Sequence, residues 1–99
     1  AWEAVGLLRE SVDGLMDRSL DADSVARARA VLDAYQARGV HYQGLRTRQA
    51  GASSFLQVVV LVPGDWSVRY GHALLDEIEA ALETAIPGLE VTTHLEPLP

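Results

Sequence analysis

Phe55-Leu56-Gln57-Val58-Val59-Val60-Leu61-Val62-Pro63-Gly64 is an apolar run that only Gln57 interrupts before a Pro-Gly breaker closes it. Its length and its β-branched content mark a strand. Strand side chains alternate between two faces. Leu56, Val58, Val60 and Val62 therefore share one face, and Phe55, Val59 and Leu61 share the other with Gln57. Both faces are apolar, so the strand needs cover on two sides. Helices of the same chain can supply one cover. The second face, left over in a two-layer fold, predicts an interface, because contiguous exposed apolar surface marks interaction sites. We expect a homodimer through it.

Working outward, Val40 to Gln49 reads as a preceding strand, joined to the first through a loop at Ala50-Gly51-Ala52-Ser53-Ser54. Upstream, Asp21 or Ser19 can cap a helix running to about Arg38, with Val25, Ala28, Leu32 and Tyr35 on one side and Gly39 as its stop. Downstream, Asp65 or Ser67 can cap a second helix, which carries Leu75, Ile78, Leu82 and Ala85 at helical spacing before Pro87-Gly88. A last strand from Leu89 to Glu96 alternates: Leu89, Val91, Thr93 and Leu95 face one way, and Glu90, Thr92, His94 and Glu96 the other. The order αββαβ predicts an α+β two-layer sandwich, a three-stranded sheet with two helices on one face. Residues 1–20 form a lead-in segment. Val5, Leu8, Val12, Leu15 and Met16 give it helical spacing that Gly6 and Gly14 weaken. The folded domain is expected over residues 21–99.

Composition narrows the function. With 99 residues, 48% hydrophobic and 22% charged, the chain has material for one modest core. It contains no Cys, so a metal site would have to use His, Asp, Glu or backbone ligands. A net charge of −6 gives no basic footprint for nucleic acid, and none is expected as a partner. No apolar run approaches the roughly 20 residues of a membrane helix. The opening at Ala1, without Met, is compatible with a piece of a longer protein. No phosphate-cradling glycine loop, nucleophile elbow or HExxH pair is present, and an enzyme is not expected.

Of the residues that carry chemistry, His94 and Glu96 stand out. Two apart on a strand, they project from one face with Cα atoms roughly 6.6 Å apart, close enough to converge on one ion. His72 borders the apolar stripe of the second helix, with Asp76 one turn on. His41 and Gln43 share a face of the first strand, although Gln43 offers only a neutral oxygen. Arg46 and Arg48 also share a face, and such a pair serves either an anion or a local carboxylate. Asp13, Asp17, Asp21, Asp23 and Asp33 read as helix caps and a solvated surface.

Taken together, several short motifs resemble the cytoplasmic domain of cation diffusion facilitators, a family of divalent metal transporters. They are Leu45-Arg46-Thr47-Arg48-Gln49-Ala50-Gly51, Phe55, Val62-Pro63-Gly64-Asp65-Trp66, Gly71-His72, Ile78-Glu79, Pro87-Gly88 and Thr93-His94-Leu95-Glu96-Pro97. Leu15-Met16-Asp17 is similar to the linker that follows the last membrane helix in that family. The resemblance implies a metallochaperone-like (ferredoxin-like) αββαβ fold on the cytoplasmic side of the membrane, paired into a V-shaped homodimer beneath a membrane domain of the same transporter. It also implies Zn2+ or another divalent transition metal at the dimer interface. His72 matches the family's helix histidine, His94 its terminal-strand histidine, and Glu96 a carboxylate that is often Asp. Gln43 and Val59 stand where many members have histidines, which leaves a reduced site of His72, His94 and Glu96. His41, two positions from Gln43, could substitute only with a bulge, for which Gly44 is the expected location.

Three readings follow. The first is a cation-sensing regulatory domain of a divalent metal efflux transporter, with water or the partner subunit completing the reduced site. In the second the same domain dimerises without metal, apolar contact through Val59 and Phe55 replacing the cation. The third is a free-standing small-ligand sensor or enzyme subunit on a ferredoxin-like scaffold.

Overall fold

The computed structural model describes residues 18–99. The lead-in up to Asp17, including the linker-like Leu15-Met16-Asp17, lies outside the described residues. Helix α1 (Ala22–Asp33) continues as a 3-10 turn over Ala34–Arg38 and is followed by β1 (His41–Ala50), β2 (Ser53–Val62), α2 (Val68–Ala85) and β3 (Leu89–Pro97). This is the expected αββαβ order. The sheet is three-stranded in the order β1-β2-β3, with β1 antiparallel and β3 parallel to the central strand. A parallel neighbour requires a crossover, which α2 supplies.

Local chemistry fixes the ends of these elements. Asp21, not Ser19, caps α1: its carboxylate accepts from the Ser24 amide at 3.1 Å and from the Ser24 hydroxyl at 2.7 Å. Those two bonds hold its pKa below the usual carboxylate value. Ser67, not Asp65, caps α2 by accepting from the Tyr70 amide at 3.0 Å. The first helix ends earlier than its periodicity suggests. Gly39 at φ 79 lets its own amide reach the Gln36 carbonyl and the Val40 amide reach the Tyr35 carbonyl. That is the Schellman pattern, here closing a tightened last turn. The hairpin loop is shorter than expected, since strand pairing runs to Ala50 and resumes at Ser53. Gly51, at φ 60, takes the first position of the two-residue turn that remains.

The core lies between the helices and one face of the sheet. Leu56, Val58, Val60 and Val62 of β2 are all buried, and they meet Ala28 and Leu32 of α1 and Leu74, Leu75, Ile78 and Leu82 of α2. Thr93 on β3 donates to the Glu79 carboxylate of α2 at 2.6 Å, tying the edge strand to the helix. Gly71 marks the closest approach of the two, because a Cβ there would lie 2.4 Å from Leu95 Cδ2. Upstream of Asp21, Leu20 is also in the core, and Arg18 pairs with Gln49 on the outer edge of β1. The packed unit thus begins within the segment read as lead-in.

Candidate metal centre on the open sheet face

The face of the sheet away from the helices carries the candidate donors. On β2, Phe55, Val59 and Leu61 are half-buried there and Gln57 is exposed. Register places His94 beside Val59 and Val59 beside Gln43 in one row across the sheet. The next row runs Glu96, Leu61, His41. Strands lie about 4.8 Å apart, so His94 is separated from Gln43, and Glu96 from His41, by roughly 10 Å with an apolar residue between them. His94 and Glu96 are exposed and adjacent on this face, as their spacing requires.

A bulge governs which β1 residues join them. Gln43 pairs with Val59 and Arg46 with Gln57, so Gly44 and Leu45 together oppose Val58. Gly44 takes φ 64, the left-handed conformation of a bulge glycine. The extra residue resets the alternation. His41, Gln43, Arg46 and Arg48 consequently share the open face, while Tyr42, Leu45 and Thr47 are half-buried on the helix side. The bulge is where it was expected, yet it lies beyond Gln43 and leaves His41 opposite Leu61. His41 does not move into the row of His94.

His72 sits elsewhere. It is exposed on α2, next to the Gly71 that presses on Leu95, and so lies beside β3 but on the helix side of the sheet. Asp76 is exposed one turn further along. Among the described residues no group of three or more His, Asp or Glu is placed to hold a metal ion. One protomer brings two good donors together on the open face, fewer than the four that zinc takes. Val59 offers none where a third would bridge the row.

Other polar residues have structural partners. Asp33 accepts from the Tyr42 hydroxyl at 3.0 Å. Glu77 accepts from Arg38 at 2.6 Å, and the Tyr35 hydroxyl and this guanidinium hold its carboxyl below the usual range. That pairing of the 3-10 turn with α2 escaped the sequence reading because its members lie 39 residues apart.

The fold and its open sheet face define a small αββαβ domain of the metallochaperone-like kind. Residues 20–98 match the family model for the cytoplasmic domain of cation efflux proteins, and the chain belongs to that family. An uncharacterized transporter of Synechocystis is 45% identical over 98% of this chain. A cation-efflux pump FieF of Shewanella oneidensis is 31% identical over 97% of it. The chain spans about a third of the length of these relatives, 31% and 32% respectively. Among solved structures, CzrB, described as a zinc transporter, superposes in its Zn form with a TM-score of 0.73 at 43% identity, covering 83% of this chain and 93% of that one. The metal-bound C-terminal domain of CzcD from Thermotoga maritima gives 0.69 at 30% identity, covering 76% and 87%. Within the described residues no helix is long and apolar enough to cross a membrane.

Proposed function

We propose that this domain pairs with a second copy through its open sheet face and regulates a divalent cation efflux transporter by responding to the cation, zinc first among the candidates. The observation that carries the reading is the placement of His94 and Glu96 beside the half-buried Val59 and Leu61. Half-buried apolar residues and two adjacent potential donors occupy one face. A second copy brought against that face by a two-fold axis would present the same pair again, and His72 lies beside the edge strand that carries them. A bound divalent cation would supply the charge that draws donors of the two copies together. His94 and Glu96 would hold it as ligands, and Val59 and Leu61 would keep the surroundings dry. The response is limited by how much better the paired arrangement holds the ion than the separated one does. Metal-bound relatives of the same fold support the reading.

A second reading, pairing without metal, is favoured by Val59 itself, which fills the bridging position with a side chain that has no donor. Calorimetric titration of zinc into the chelator-stripped chain, beside His94→Ala, separates the two. The first predicts micromolar binding that the substitution abolishes. Absence of binding by a chain that is already dimeric would leave a pairing module alone.

A further inference from the structure

We propose that the concave surface at the hairpin end of the sheet, where Arg18, Arg29, Arg46 and Arg48 gather, is a binding site for a phosphate-bearing anion. The chain is acidic, with 14 Asp and Glu against 8 basic residues. Yet Arg18, Arg46 and Arg48 line one open cleft of about 510 Å³. A second, of about 390 Å³, shares Ser19, Arg46 and Thr47 with it and adds Arg29. Among the described residues no Asp or Glu lines either cleft. Four of the chain's eight basic residues thus line clefts to which the described residues contribute no carboxylate.

Arg18, Arg29 and Arg46 differ from Arg27 and Arg38 in their partners. Arg38 is held by Glu77, and Arg27 donates to the Ser24 hydroxyl. The side chains of Arg18, Arg29 and Arg46 have no ion pair or hydrogen bond among the described residues. Arg48 stacks 4.4 Å over the Phe55 ring, which fixes it in the cleft wall. Three features of the fold assemble the group. The bulge at Gly44 and Leu45 turns Arg46 and Arg48 to one face, the backbone bridge to Gln49 holds Arg18 beside them, and α1 delivers Arg29. Like charges so gathered repel one another, and an anion relieves that repulsion. Guanidinium forks match phosphate oxygens in a bidentate manner, and the clefts fall in the roughly 300–1,000 Å³ range of small-ligand sites.

The phosphate could belong to a lipid headgroup or to a soluble anion. Arg18, where the described residues begin, lies at this end of the fold beside Gln49. A domain of a membrane transporter works near an anionic leaflet, which favours a headgroup. The preference for lipid rests on the proposed function; the site does not.

The test takes the 99-residue chain. In one arm it is co-sedimented at low salt with phosphatidylcholine vesicles with and without phosphatidylglycerol. In the other, inorganic pyrophosphate is titrated by calorimetry. Arg18→Gln/Arg46→Gln is run beside Arg69→Gln, which removes an exposed charge from the opposite end of the fold, and thermal melts confirm that both variants are folded. Removal of one arginine should weaken vesicle binding roughly fivefold, so the double variant should lose about 25-fold while Arg69→Gln changes little. Phosphatidylglycerol-dependent binding lost in the double variant supports the site with a lipid source. Pyrophosphate binding lost in that variant, without vesicle binding, supports it with a soluble source. No binding in either arm, or binding that both variants weaken equally, overturns it. Failure of both arms would leave the pairing and cation reading untouched. Failure of that reading with pyrophosphate binding intact would remove only the lipid source.

Discussion

Val59 stands between His94 on β3 and Gln43 on β1, and the donor chemistry of the open face turns on what that position carries. A histidine there would lie about one strand spacing from His94, on the same face as Glu96. Even outer partners of metal ligands change affinity by roughly 10–100-fold. A direct donor should do no less, so Val59→His is expected to raise zinc affinity at least about tenfold, measured by competition with a chelator of known affinity. An unchanged affinity would mean that His94 and Glu96 do not form the metal site. The adjacency of His94 and Glu96 was legible in the sequence, because a period of two leaves no freedom once a strand is assigned. The separation of His72 from them was not. His72 lies on α2, which packs through Leu74, Leu75, Ile78 and Leu82 on the side of the sheet away from His94 and Glu96, with Gly71 against Leu95.

At the scale of elements, β2 was readable because its apolar run, its alternation and its Pro-Gly stop agree. The end of α1 was less so. Ala34-Tyr35-Gln36-Ala37-Arg38 keeps a helical pattern, but the reach of Val40 back to Tyr35 tightens it into a 3-10 turn. Gly44 could be named as a bulge site from residue type, whereas its effect on facing needed the register, since one inserted residue reverses every later side chain. Gly44→Ala tests that bulge. A Cβ at this position would rest 3.8 Å from Val59 Cγ2, an ordinary contact, so the penalty is that of placing Ala at φ 64. We expect a loss of about 1–2 kcal/mol in urea unfolding with the slope unchanged. A neutral effect would show that the left-handed conformation there is not required.

In the whole molecule the two sides of the sheet differ in burial. One side is filled by the helices, with Val60 and Leu82 at 0% exposure, and accounts for the fold of the single chain. The other carries half-buried Phe55, Val59 and Leu61, flanked by His94 and Glu96 toward one end and by Arg46 and Arg48 toward the other. The arginine cluster spans residues 18 to 48, and only the folded chain brings its members together. The open side is also where a disruptive substitution should separate pairing from folding, because Leu61 is not among the buried residues that pack against the helices. The most direct measurement is sedimentation equilibrium of the chain and of Leu61→Glu at tens of micromolar, with circular dichroism confirming that both are folded. Pairing through this face predicts a dimer for the parent and a folded monomer for the variant. A monomeric parent, or a variant that remains dimeric, would contradict it.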